Sequence, residues 1–283
     1  MKGKHRVIVQ NNRLHYEFEI KRNITILKGD SATGKTNLIN MLRAAENLGP
    51  DSGVSVESDV SCRVLEGVNW KLVLKGVKNT VFFVDEENSF ITTQDFAAEV
   101  SGADNYFVII TRENLYNLPY SVDEIYGLHS SGRYQNTRQI YQQFYRIYSD
   151  TAELSVPIKP KRIITEDSNA GYEFFSELSR DKGIECISAN GKSNISKLLR
   201  DEFQGLNHPT QNDKETCIIA DGAAIGPEMN TLYELTKRIK GVKLYLPESF
   251  EWLILKSGLI DGKEVENILE SPEDYIDSRN YVS

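Results

Sequence analysis

Cysteine, basic charge and long apolar runs are all scarce in this chain, and each scarcity narrows the field. Three cysteines, Cys62, Cys186 and Cys217, stand far apart in 283 residues. An odd set without paired spacing argues against a disulfide framework or a zinc site, and points to a reducing cytoplasm. No apolar run reaches 18 residues, so no helix is expected to span a membrane. Val7-Ile8-Val9, behind the basic start, is too short for a signal-peptide core. Lys and Arg number 33 against 41 Asp and Glu, a net charge of −8. That balance argues against a broad nucleic-acid surface, but leaves room for a local basic groove or an acidic site holding Mg²⁺. What is present, 40% hydrophobic and 26% charged residues, is the composition of a soluble globular protein. The length suits one large or two ordinary domains.

Against this background, residues 29 to 36 stand out. Gly29-Asp30-Ser31-Ala32-Thr33-Gly34-Lys35-Thr36 fits the phosphate-binding loop G-x-x-x-x-G-K-[ST]. A strand-like run, Ile24 to Lys28, leads in, and a helix-like run from Asn37 through Leu38, Ile39, Met41, Leu42 and Ala45 leads out. Glycines at the two ends let successive N–H groups face an anion, and the helix N-terminus adds a favourable dipole. In this pattern Lys35 sits on the β- and γ-phosphates of ATP and the Thr36 hydroxyl on Mg²⁺. The expected nucleotide contacts are residues 29 to 36 with Asn37.

The spacing predicts strands at residues 6–10 and 14–20, joined by a hairpin turn at Asn11-Asn12. A loop follows over residues 49 to 59. Short strands are expected at residues 61–65 and 70–74, again hairpin-like, with a crossover helix between residues 92 and 103. Val81 to Val84 and Tyr106 to Ile110 are continuous apolar runs, which suit central strands of a parallel sheet. From Asn136 to Tyr148, Ile140, Tyr141, Phe144, Tyr145 and Tyr148 fall at helical spacing, with Arg133, Arg138 and Arg146 among them. That stripe reads as a packed helix face, or alternatively as a base-stacking platform. Residues 149 to 160 read as a linker between a first domain, 1–148, and a second, 161–283. The second half alternates strand and helix, a βαβ pattern.

Val81 to Val84 end in Asp85-Glu86, a Walker B-like box. Asp85 is expected in the Mg²⁺ shell, and Glu86 is the catalytic base that polarises water beside the catalytic Lys35. Thr111, at the tip of the next apolar strand, is a candidate sensor of the γ-phosphate, and Arg112 a candidate in-trans finger or a plain surface arginine. With these boxes, residues 1 to about 135 resemble a reduced ABC/AAA-type ATPase domain of the OLD-like kind. The resemblance implies an α/β fold: a parallel P-loop core sheet with antiparallel N-terminal strands. Only 48 residues separate Thr36 from Asp85. No coiled-coil arm fits there and no L-S-G-G-Q-like segment is present, so a sandwich dimer is not implied.

Three segments of the second half resemble a Toprim domain: Ile163 to Asp167, Ala189 to Ile195, and Ile218 to Gly226. Leu246 to Glu251 resembles the later acidic helix start of OLD-like members. The resemblance implies a smaller α/β domain with Mg²⁺ ligands at Glu166, Asp221 and Glu251. Ala223 stands where that family has a second Asp, which removes one ligand. The leading expectation is an ATP- and Mg²⁺-binding ATPase whose nucleotide state controls the Toprim-like domain, in DNA processing or phage defence. Alternatives are a non-catalytic nucleotide sensor, a metal-dependent nuclease, or a P-loop small-molecule kinase. Expected partners are a nucleoside triphosphate, a second copy or partner subunit, and DNA, with no membrane.

Overall fold

The computed structural model describes residues 1–29, 34–130, 139–149, 159–203, 215–260 and 262–276. They form two compact units. The first takes Met1–Tyr120, Glu124–Ile147 and the segment from Glu266; the second takes Ser121–Asp123 and Tyr148–Val265.

The first unit is built on β1 (His5–Gln10), β2 (Leu14–Ile20), β3 (Ile24–Leu27), β4 (Ser55–Glu57), β5 (Ser61–Val64), β6 (Thr80–Val84), β7 (Tyr106–Ile110), β8 (Ile125–Ser130) and β9 (Ile140–Arg146). Helices α1 (Lys35–Leu48), α2 (Trp70–Gly76) and α3 (Gln94–Gly102) complete it. All nine strands belong to one sheet, in the order β4-β1-β2-β9-β8-β3-β7-β6-β5. Neighbours from β8 through β3, β7 and β6 to β5 run parallel. β1 is antiparallel to both β2 and β4, and β9 is parallel to β2 but antiparallel to β8.

This corrects the expected fold class. The sheet is mixed and nearly closes into a barrel, where a parallel P-loop core sheet with antiparallel N-terminal strands is the expectation. Helix α1 packs against β1, β4 and β5, which include both edge strands. Phe18 of β2 meets Phe83 of β6 edge-on across the interior, with ring centroids 6.0 Å apart.

Two misread elements explain the difference. Within the stretch expected to be a helix over residues 136–148, Ile140–Arg146 is strand β9, and it joins the N-terminal ribbon to the parallel strands. Its rings find partners inside the chain: Phe144 stacks on Phe18 at 4.3 Å and Tyr141 lies 4.4 Å from His15. Arg133 and Arg138 fall outside the described residues. The strand expected over residues 70–74 is helix α2, so β5 and β6 are parallel strands joined by a helix. Part of the expected loop over residues 49–59 is the edge strand β4.

The second unit holds β10 (Arg162–Thr165), α4 (Ala170–Arg180), β11 (Glu185–Ser188), α5 (Lys192–Phe203), β12 (Thr216–Ile219), α6 (Met229–Arg238), β13 (Val242–Tyr245) and α7 (Phe250–Lys256). Its four strands are all parallel, in the order β11-β10-β12-β13. Helix α8 (Lys263–Glu270) follows. Helix α9 (Pro272–Tyr275) returns to the first unit, where the Glu273 carbonyl accepts from Gly3 N at 2.8 Å and its carboxylate pairs with Lys4 at 2.5 Å.

Candidate functional site

Strand register decides what meets at the edge of the first sheet. Ile26 of β3 and Val84 of β6 both lie level with Ile109 of β7. Since these strands are parallel, the residues that follow them leave the sheet at one carboxyl edge. Lys28-Gly29, Asp85-Glu86 and Thr111-Arg112 therefore share that edge.

Gly29 has φ +138° and Gly34 φ +97°, backbone that L side chains rarely adopt. Gly34 is the N-cap of α1, and its carbonyl accepts from Leu38 N at 3.1 Å. Lys35 opens the helix and is buried, its Nζ turned back to donate to the Gly29 carbonyl at 2.7 Å. This ammonium thus spans the two ends of the loop. Thr36 and Asn37 are exposed on the first turn. Asp30, Ser31, Ala32 and Thr33 lie outside the described residues.

Asp85 and Glu86 are half-buried. Glu86 is ion-paired: its Oε1 lies 3.1 Å from Arg112 Nη2. Thr111 is buried, and its hydroxyl accepts from Glu113 N at 3.0 Å, ordering the turn that carries Arg112.

Sequence reasoning missed several neighbours of the loop. Lys28 Nζ donates to Asn114 Oδ1, tying the loop entry to the segment after β7, and burial lowers the affinity of this ammonium for its proton. Arg43 of α1 pairs with Glu66 after β5, at 2.6 Å. Tyr16 of β2 donates its hydroxyl to the Gly34 carbonyl at 2.8 Å, and burial pushes its pKa up to about 12. Gln142 of β9 sits beside it. A Cβ added to Gly34 would stand 3.2 Å from Tyr16 Oη and 3.7 Å from Gln142 Cδ. For Tyr16 and Gln142 no sequence signal existed, because β9 carries helical spacing and its partner β2 is distant in the chain.

In the second unit Glu166 follows β10 and Asp221 follows β12, on adjacent parallel strands. Glu166 Oε2 accepts from Asp221 N at 2.9 Å, and Asp221 Oδ1 accepts from Ala223 N at 2.9 Å. Burial, with the charges of Glu166, Glu248 and Glu251 nearby, pushes the Asp221 pKa up to about 7. Burial also raises Glu166, against the pull of the Asp221 N–H and the Lys192 ammonium. Lys192 opens α5 and donates to the Ala224 carbonyl at 2.8 Å. Glu251 is exposed on the first turn of α7. Ala223 is buried, and its N–H also reaches the Glu248 carbonyl at 3.1 Å.

Among the described residues no three His, Cys, Asp or Glu side chains group so as to hold a metal ion. Glu166 and Asp221 are joined through the Asp221 N–H, and Glu251 contributes its charge to the surroundings of Asp221. At the first site the described residues include the Thr36 hydroxyl and the Asp85 carboxylate, hard oxygens of the kind Mg²⁺ prefers. Among the described residues no helix is long and apolar enough to cross a membrane. No protein-family model matches the chain, and no curated protein matches its sequence.

Proposed function

We propose that the edge formed by Gly29, Gly34, Lys35 and Thr36 binds the phosphates of ATP with Mg²⁺, and that Glu86 activates water for hydrolysis. The observation that carries this reading is the Lys35 ammonium, buried at the helix start and bonded across to Gly29 between two glycines of positive φ. An arriving phosphate offers that ammonium a stronger, charged acceptor than a neutral carbonyl. The helix N-terminus adds its own N–H groups. Thr36 and Asp85 would hold Mg²⁺, which when bound neutralises developing phosphate charge. Glu86, leaving the sheet at the same edge, accepts the proton of the attacking water.

A second reading, binding without turnover, is favoured by one contact. Arg112 holds the Glu86 carboxylate at 3.1 Å, so one of its oxygens is already engaged by an arginine rather than by an attacking water. Nucleotide state then controls the second unit, for which the Toprim resemblance suggests DNA as a partner. The three free cysteines suit the reducing cytoplasm assigned to the chain as part of this proposal.

Calorimetric titration with Mg-ATP tests the loop. Lys35→Met should weaken binding roughly 100-fold, with an unchanged circular dichroism spectrum. Equal affinity for both chains sinks the proposal. Phosphate release then separates the two readings: hydrolysis requires wild type to exceed Glu86→Gln, whereas the sensor reading requires the two to match. Plasmid cleavage in Mg²⁺ or Mn²⁺, with and without ATP, checks the second unit. Cleavage that persists in Glu166→Ala excludes that carboxylate.

A further inference from the structure

His5 opens β1, is 8% exposed, and packs on Tyr106 of β7 with ring centroids 5.4 Å apart. Each of its ring nitrogens meets an oxygen. Nδ1 lies 2.9 Å from Asp59 Oδ2, in the turn between β4 and β5, and Nε2 lies 3.1 Å from the Lys2 carbonyl. A backbone carbonyl only accepts a hydrogen bond, and so does an ionised carboxylate. Asp59, with its side chain 62% exposed, has the solvent that an anion needs. A neutral imidazole carries one N–H and one lone pair, so one of these contacts would set a lone pair against an oxygen. Only the imidazolium donates at both nitrogens.

What the ring holds is the strap before β1, residues 1–4. Tyr106 Oη donates to the Gly3 carbonyl at 3.0 Å, and Gly3 N donates to the Glu273 carbonyl of α9 at 2.8 Å. Lys2 Nζ donates to the Tyr275 carbonyl at 3.0 Å, and Lys4 pairs with Glu273 at 2.5 Å. The Met1 ammonium pairs with Asp104, just before β7. The strap thus bonds to β7 and to α9, and His5 anchors its Lys2 carbonyl. Asp59 and Tyr106 face the ring itself, and the Lys4–Glu273 and Met1–Asp104 pairs complete the charges along the strap.

We propose that the His5 imidazolium is a pH-sensitive clasp that holds the strap, and through it α9, on the first unit. While the ring carries both protons, it ties Asp59 to Lys2. When the ring gives one proton up to water, the remaining N–H stays with Asp59, because a bond to a charged acceptor is the stronger. The Lys2 carbonyl then faces a lone pair and loses its donor, and the strap loosens there. The clasp is closed at low pH and opens as pH rises, because only the closed form keeps the second proton.

The test follows two signals of the full chain across pH. One is the pair of His5 ring nitrogens in ¹⁵N spectra, assigned by their loss in His5→Gln. The other is the exchange protection of the Gly3 amide, corrected for the intrinsic rate at each pH. In wild type, Gly3 protection should fall about 10-fold as the ring gives up its second proton. Asp59→Asn, at an exposed position, keeps an acceptor beside Nδ1 but removes its charge. Ring proton and Gly3 protection should then be lost together, at a pH lower by about one unit. The Met1–Asp104 and Lys4–Glu273 pairs are the same in both chains and cannot produce that shift. Gly3 protection that ignores the ring proton, or that keeps its wild-type pH in Asp59→Asn while the ring moves, overturns the clasp. So does a ring that carries a single proton while Gly3 is fully protected.

Discussion

Gly222 and Gly127 both lack room for a methyl group, and the difference between their obstacles sets what each substitution costs. A Cβ on Gly222 would stand 2.6 Å from the Leu246 carbonyl oxygen and 2.7 Å from that of Pro247. Gly222 N also donates to the Pro247 carbonyl at 2.6 Å. Only backbone movement relieves that clash, so Gly222→Ala should destabilise the second unit by about 2–4 kcal/mol in urea unfolding. On Gly127 the obstacle is the Tyr145 ring, 2.3 Å away. Tyr145 is 46% exposed and can swing into solvent, so Gly127→Ala should cost less than about 1 kcal/mol. Equal costs at the two positions would contradict the geometry. Asp221 supplies a pH dependence. Its folded pKa, raised to about 7, lies above the ordinary carboxylate value, so the folded chain keeps a proton that the unfolded chain has released. Its contribution to stability is fully present below about pH 4 and is lost as pH rises to about 7. Asp221→Asn should remove that slope and stabilise the second unit at pH 8 by on the order of 2–4 kcal/mol. A mutant with the wild-type pH profile would refute the assignment.

At the scale of elements, β9 determines the architecture of the first unit. Phe144 stacks on Phe18 at 4.3 Å with the ring planes 5° apart, and Tyr126 packs beside it. Phe144→Ala should therefore cost about 2–3 kcal/mol, read as a lower denaturation midpoint of the first unit. A loss under about 0.5 kcal/mol would mean that the seam contributes little. The sequence concealed β9 because Tyr, Phe and Ile satisfy helical spacing while also favouring strands. The partner β2 lies more than a hundred residues earlier, so nothing local announced the pairing. Helix α2 was concealed in the opposite sense. Trp70, Leu72 and Leu74 alternate as in a strand, but Leu72 is 70% exposed while Trp70 and Leu74, four residues apart, are buried. Over five residues the two periods are hard to separate. By contrast, β6 and β7 were readable as buried strands because every one of their residues is buried.

For the whole molecule, two compact units predict two calorimetric transitions, each with its own sensitive residue. Glu124 is fully buried, with Oε1 3.8 Å from Arg22 Nε and Oε2 accepting from Thr25 Oγ1 at 3.4 Å. Removing that carboxylate takes a buried negative charge away from the Arg22 guanidinium, a change that costs about 3–5 kcal/mol. Glu124→Ala should lower one transition and Asp221→Asn should move only the other. A single transition shifted by both substitutions would show that the units unfold together. Read alone, the chain determined the loop glycines, the lysine and hydroxyl beside them, the acidic pair after an apolar run, and the strand–helix alternation of the second half. Those features answer to local demands: positive φ, a helix start, and burial along one strand. Tertiary structure decided the rest. It placed β9 between β2 and β8, turned Arg112 onto Glu86 and Lys28 onto Asn114, and set Tyr16 and Gln142 against Gly34. Strand neighbours and their direction depend on packing between distant segments, and that packing leaves no periodic mark in either segment alone.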